Sequence, residues 1–415
     1  MPSQSMSEQE ALERAQALHR SRIVVDSLSP SIIAEWVVTP EMAEIAREQQ
    51  ARGMKRSAIQ AALADHLIER CATDPATREE YLAFWRRSGV TACNNTLYAS
   101  GPPDNAWDAL MTEFGRAGKL IDALQGEVIV ATRAADVERA HAQGKLAAMY
   151  NIQNPEPLGA RLERVDTLHG LGLRSMQLTY NLRTRYGEGC LEPNDGGMSR
   201  LGHALVEKLN ATGILVDVSH GSARTAHDAA LASRQPIVAS HTGARAISGH
   251  ARTLPDDVLK AIAERGGYAG VVILPAFIVP GDDDRAVQRG KPAGWATLDA
   301  VVDHVEHLVN VMGEDHVGIG TDWGKPYYTA IKWTPAMVNE SSAGFDWVGW
   351  RAHDRFDPNN QVVDMETWDQ WPRLTATLLR RGFREEQVAK IVGGNFLRVF
   401  REVCDRPADR ARAPG

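Results

Sequence analysis

The chain has 415 residues, 43% of them hydrophobic and 24% charged, with 35 Gly, 20 Pro and four Cys; this excludes a disulfide-stapled mini-domain or a disordered tail and implies a large buried core. A formal net charge of −7 leaves no excess of Lys and Arg to displace counterions, so DNA and RNA are not expected partners. Cys71, Cys93, Cys190 and Cys404 lie far apart with no CxxC spacing, which reads as reduced thiols rather than a zinc knuckle or redox pair.

The N-terminus is polar and charged, where a signal peptide needs an apolar stretch, and no segment approaches the roughly 20 apolar residues that span a bilayer. The expectation is a soluble, cytoplasmic protein with no membrane partner. Residues 1–20 read as a leading helix, and 40–87 as helices inserted after the first strand. Strands are expected at Arg22–Ser27, Gly89–Asn94, Leu146–Gln153, Ser175–Tyr180, Ile214–His220, Ile237–His241, Tyr268–Leu274 and Val317–Asp322. Between the later ones, HALVEKLNATG, TAHDAALASRQ, DDVLKAIAERGG and LDAVVDHVEHLVNVMG carry apolar residues at helical spacing and end near Gly or a basic residue. Eight strands alternating with helices fit a (β/α)8 TIM-like barrel as one domain over 1–405. A doubly wound sheet is the alternative, but no Gly-rich phosphate turn follows the first strand. The irregular segment about 323–371 holds Trp333, Trp347, Trp350, Trp368 and Trp371 and reads as a pocket roof, core or subunit contact. Residues 406–415 read as a flexible tail.

In a barrel of this kind the active site lies at the carboxyl ends of the strands. The polar residues there are Gln153 and Asn154, Tyr180 and Asn181, His220, His241 and Asp322. Two histidines and a carboxylate can coordinate a divalent cation, since neutral imidazole and carboxylate suit Zn²⁺, Mn²⁺ or Fe²⁺. One histidine at a strand end is more often a hydrogen-bonded structural residue; two on neighbouring strands facing an Asp point to a metal. His227, His304 and His307 fall within helical patterns and read as surface or packing residues.

At these residues the sequence resembles the membrane (renal) dipeptidases, a branch of the metal-dependent amidohydrolase superfamily. The resemblance is carried by QLTYN at 177–181, GMSRLGHALVEKLNATGILVDVSH at 197–220, PIVASHTGARAI at 236–247, HARTLPDDVL at 250–259, HVGIGTDWG at 316–324 and GGNFLRVF at 393–400. It implies a (β/α)8 barrel, often dimeric, whose relatives hydrolyse dipeptides with two bridged zinc ions. By position, His220 and His241 match the histidines of the second metal site. Arg252 matches the residue that holds the substrate carboxylate, although a salt bridge to Asp256 or Asp257 would explain it equally well. Asp322 matches the acid that handles protons.

The departures are specific. The family's first strand ends in a His-x-Asp pair that holds the first metal; this chain reads VVDSLSP, with Leu28 and Pro30 at those positions. Gln153 replaces the bridging Glu, and Tyr180 replaces a substrate-contacting His. Two divalent ions a few ångström apart repel strongly, and both anions that offset this in the family are missing. The expectation is therefore one divalent ion, zinc first and manganese or iron as alternatives, on His220 and His241, with Gln153, Asp322 or water completing the shell. Asp26 reads as a strand cap, with recruitment to the ion as the alternative. The expected activity is hydrolysis of a small carboxylate-bearing amide. Asp322 would move the proton, Tyr180 or Asn181 would stabilise the oxyanion, and Arg252, Tyr180 and Asn154 would contact the substrate, Arg252 by a bidentate pair. The competing expectations are a catalytically silent, ligand- or partner-binding barrel and a metal-dependent lyase, isomerase or decarboxylase on the same scaffold.

Overall fold

Short apolar strands that are buried on both faces need helices packed over the sheet, and in this structure helices surround it. The computed structural model describes residues 6–29, 32, 37–98, 105–323, 331, 333 and 348–405. Its strands, in chain order, are β1 (Val25–Ser29), β2 (Ala92–Tyr98), β3 (Val128–Val130), β4 (Leu146–Ile152), β5 (Leu173–Gln177), β6 (Leu215–Asp217), β7 (Val238–Thr242), β8 (Tyr268–Val271), β9 (Ala296–Thr297), β10 (Val317–Ile319) and β11 (Val362–Val363). Eight form a nearly closed parallel barrel in the order β1-β2-β4-β5-β6-β7-β8-β10; β3 hangs off β4, and β9 pairs separately with β11. Every residue of the eight barrel strands is buried.

All eight expected strands are present, with shifted ends. β5 runs Leu173–Gln177 rather than Ser175–Tyr180, and β6 stops at Asp217 rather than His220. In both places the polar residues past the last ladder bond turn out of the sheet, which is what frees their side chains for a site. The short β3 and the β9–β11 pair, of two or three residues each, carry too little periodicity to be read from sequence.

The expected helices fall at Arg200–Thr212, Ala223–Ala232, Asp256–Glu264 and Leu298–Met312. Their starts are fixed locally where Ser199, Ser222 and Thr297 accept hydrogen bonds from the backbone N–H groups of Gly202, Thr225 and Ala300. The leading helix is Glu8–Ser21, and Pro40–Ala51, Arg56–Thr73 and Pro75–Ser88 follow β1. In the distinctive GGNFLRVF stretch, Asn395 Nδ2 donates to the carbonyls of Glu314 (2.7 Å) and Val317 (2.8 Å) and so ties the last helix, Asn395–Cys404, to the entry of β10. Pro30, Trp347 and the tail 406–415 lie outside the described residues.

The ladder does not itself close between β10 and β1. Side chains close it instead. Asp26 Oδ1 accepts from the backbone N–H of Thr321 (2.9 Å), and Oδ2 accepts from the Thr321 hydroxyl (2.5 Å) and from Trp368 Nε1 (2.8 Å). Ser27 Oγ lies 2.6 Å from the Ser240 carbonyl and 2.9 Å from that of Ile319, while Tyr268 donates its hydroxyl to Ser27 (2.9 Å). One backbone bond, Asp322 N–H to the Leu28 carbonyl at 2.9 Å, completes the seam. Gly320 sits where a Cβ would strike the Ser240 carbonyl and the Ser27 hydroxyl, so only glycine allows this close approach.

Asp26 thus closes the barrel rather than facing a ligand. Burial raises its carboxyl pKa to about 6, against the lowering effect of the donors from Thr321 and Trp368. A raised folded-state value contributes stability that is full below the unfolded pKa near 4 and is lost as pH rises through about 6. Two pH units correspond to about 3 kcal/mol. Urea unfolding of wild type and Asp26→Asn at pH 7 and pH 4.5 should show the wild type gaining on the variant by about 2 kcal/mol on acidification; a constant difference would show that the donors, not burial, set this carboxylate.

Candidate active site

The residues singled out at the strand ends do lie at the carboxyl side of the barrel, but they divide into a tightly bonded group and several separate ones. His220 follows β6 and His241 lies within β7. Both are buried, and their Nε2 atoms are 3.0 Å apart. Burial lowers both imidazole pKa values well below the usual range, helped by the positive charge of Arg252. Both rings are therefore neutral, the state in which imidazole is a ligand.

The hydrogen bonds on the far sides of the rings decide where their protons sit. Asn181 Nδ2 donates to the Val348 carbonyl at 2.7 Å, which orients the amide so that its Oδ1 faces His220 Nδ1, also at 2.7 Å. A carbonyl oxygen can only accept, so His220 carries its hydrogen on Nδ1 and presents a lone pair at Nε2. Ser240 Oγ donates to Asp217 Oδ2 (2.5 Å), leaving the hydroxyl oxygen to accept from His241 Nδ1 at 2.9 Å. His241 thereby also presents a lone pair at Nε2. Asp217, buried and with its pKa raised by burial, also accepts from the backbone N–H of Ser219 and of Ser240 and from the Ser219 hydroxyl. With Asp217 ionised, two lone pairs point at each other across 3.0 Å, which is repulsive unless a cation or a proton lies between them.

Arg252 is buried behind this pair. Its two Nη groups donate to the carbonyls of Ser219 and His241, the second at 2.9 Å, and its guanidinium lies 5.8 Å from the centre of the Phe277 ring. Nε is buried without a partner among the described residues. Arg252 makes no ion pair with Asp256 or Asp257; Asp256 is taken by His307 at 2.8 Å. The Asp322 carboxylate interacts electrostatically with Arg252 and favours its charged form. Asp322 itself has φ = +50°, a left-handed conformation that Asp tolerates better than most residues, imposed where the chain leaves β10. Tyr180, half-buried, stacks on His220 with ring centroids 4.2 Å apart and planes 21° apart.

Gln153 and Asn154 lie just past β4, both buried. Gln153 Nε2 donates to Thr96 Oγ1 at 2.8 Å, and Asn154 Oδ1 caps the backbone N–H of Glu156 at 3.0 Å. Leu28 is buried. Among the described residues no three His, Cys, Asp or Glu side chains converge as a metal-binding group. A donor set of two neutral imidazoles fits one cation; it does not fit a bridged pair of ions, whose mutual repulsion would go uncompensated. His304, expected to be a packing residue, is buried in its helix, accepting from Ala244 N–H and facing the Ile278 carbonyl.

The model of the membrane dipeptidase family, Peptidase family M19, matches residues 12–332 and 338–412. The chain belongs to this family. It is a divergent member of these metal-dependent hydrolases, without the first-metal His-x-Asp pair and the bridging Glu. A solved amidohydrolase from Pseudomonas aeruginosa is 26% identical, with 94% of this chain and 99% of that one covered at a TM-score of 0.69. The probable dipeptidase PvdM from Pseudomonas aeruginosa is 21% identical (96% and 100% covered, TM-score 0.69). A metallopeptidase from Rhodobacter sphaeroides, solved with a phosphinate mimic of the dipeptide L-Ala-D-Ala, is 22% identical (81% and 96% covered, TM-score 0.62). The last two share the barrel with this family member; their ligands and activities are their own. No helix among the described residues is long and apolar enough to cross a membrane.

Sequence reading missed the residues that hold the histidines: Asp217, Ser219 and Ser240. A signal was present, since both histidines are preceded by serine, in VDVSH and IVASH. Ser240→Ala would remove the partner of both His241 Nδ1 and Asp217 Oδ2. The expected loss is about 1–3 kcal/mol of stability in urea unfolding at pH 7, the cost of leaving buried polar groups unmet.

Proposed function

We propose that this protein hydrolyses a small amide that carries a carboxylate, a dipeptide or modified amino acid, with one divalent ion held by His220 and His241. The observation that supports this reading is the pair of Nε2 atoms 3.0 Å apart, which both present lone pairs when Asp217 is ionised because each ring is bonded through Nδ1 on its opposite side. Zinc suits two neutral imidazoles. A single divalent ion, once bound, polarises a carbonyl and acidifies water without a second metal.

The chain's own residues supply the rest. Asp322 accepts the proton of the attacking water and returns it to the leaving nitrogen, which balances the hydrolysis. Tyr180, parallel to His220 and half-buried, brings its hydroxyl to the developing oxyanion. Asn181 orients His220 through Nδ1 instead of meeting substrate, since its amide is engaged on both sides. Arg252 aligns the two histidines by gripping the Ser219 and His241 carbonyls, and its Nε is the donor left for the substrate carboxylate. That is one hydrogen bond plus charge, less than the two-point clamp a free guanidinium makes.

Metal analysis of protein prepared with Zn²⁺ present should find about one ion per chain, and His220→Ala should lose both the ion and dipeptide hydrolysis. Two tightly held ions, or none, would overturn the single-ion reading. Arg252→Lys keeps the charge but not the planar fork, and should raise KM about tenfold or more while the ion is retained.

A further inference from the structure

Residues 348–356 form a strap: Val348, Gly349, Trp350 and Asp354 are buried while Arg351, Ala352 and His353 are exposed. Two of its carbonyls are gripped by side chains that, at their other end, hold a residue of the site. Asn181 joins the Val348 carbonyl (2.7 Å) to His220 Nδ1 (2.7 Å). His250 joins the Asp354 carbonyl (3.0 Å) to the backbone N–H of Arg252 (3.0 Å). Because His250 Nδ1 accepts from Arg252, its hydrogen is on Nε2, so the bond to Asp354 is a donated one. Between the clamps Trp350 packs on Phe277 and Phe356, with ring centroids 5.1 and 5.0 Å apart, and Phe277 lies against the Arg252 guanidinium.

We propose that the 348–356 strap is mechanically coupled to the histidine pair, and that Asn181 and His250 are positioning residues through which its seating fixes the His220 tautomer and the place of Arg252. The importance of those two residues rests on the function proposed above; the coupling itself does not. The Val348 carbonyl is the strong partner that keeps the Asn181 amide from rotating, with the weaker Cys190 thiol 3.6 Å from Oδ1. Were the amide to flip, its nitrogen would face His220 Nδ1, which would then have to accept; the hydrogen would move to Nε2, and that lone pair would be lost. The strap therefore selects which form of His220 the site presents.

The test is hydrogen exchange by NMR, on protein with and without Zn²⁺, so that a failure to bind metal is read separately. The reporters are the Arg351 and Asp354 amides of the strap, which are bonded to the Asp354 carboxylate and the Arg351 carbonyl, and the buried His220 Nδ1 hydrogen. His250→Phe keeps the ring stacking and deletes one clamp; strap amides and the His220 hydrogen should exchange faster together, by about tenfold or more. Faster strap exchange with an unchanged His220 hydrogen, or no change in either, overturns the coupling. Asn181→Asp keeps an acceptor for His220 but cannot donate to Val348. It should free the strap while preserving the Nδ1 hydrogen, because a carboxylate accepts in either orientation. It thus tests the Asn181 clamp, and a strap that stays protected in it overturns the proposal. If His250→Phe does not fold, Trp350→Leu, which loosens the strap between the clamps, should speed the strap amides and the His220 hydrogen together, and a change in the strap alone overturns the coupling.

Discussion

The site depends on an electrostatic conflict that the surrounding hydrogen bonds create while Asp217 is ionised. Two neutral imidazoles are pushed together with their acceptor nitrogens face to face, and each is denied the obvious escape of moving its proton. Asn181 blocks it for His220 and the Asp217–Ser240 pair blocks it for His241. A proton on Asp217 Oδ2 would turn the Ser240 hydroxyl toward His241 Nδ1 and leave the His241 hydrogen on Nε2, where it donates to His220, so the ion-ready and relaxed arrangements differ by one added proton and two repositioned hydrogens. Buried networks of this type hold geometry more strictly than surface contacts, because every alternative leaves a desolvated group without a partner.

The same argument explains the missing half of the family's metal centre. Leu28 is a buried, uncharged side chain, and the amide of Gln153 is bonded to Thr96. Neither supplies the negative charge that lets two dications share a cavity. The carboxylate of the first strand, Asp26, points into the seam between the last and first strands and is occupied by Thr321 and Trp368. The exit of the first strand serves here as a structural joint.

The barrel was legible because its strands are uninterrupted apolar runs ending on polar residues, and that punctuation also led to His220, His241, Tyr180, Asn181 and Asp322. Roles were harder to read than positions. Whether Asn181 meets a substrate or a neighbouring imidazole depends on a carbonyl of Val348, 167 residues away in sequence. Arg252 and His250 take their partners from β7 and from the strap, and no local periodicity records such pairings. Asp26 looked like a strand cap and proved to be the lock of the seam, because its partners Thr321 and Trp368 come from the opposite end of the chain.

That seam gives the cylinder a preferred line of fracture. Seven of its joints are ladders of backbone bonds, which different side chains can preserve; the eighth is pegged by a carboxylate, three hydroxyls and one indole, with a single backbone bond between Asp322 and Leu28. Drift at Asp26, Ser27, Tyr268, Thr321 or Trp368 is correspondingly less forgiving than at residues whose joints are held by the main chain.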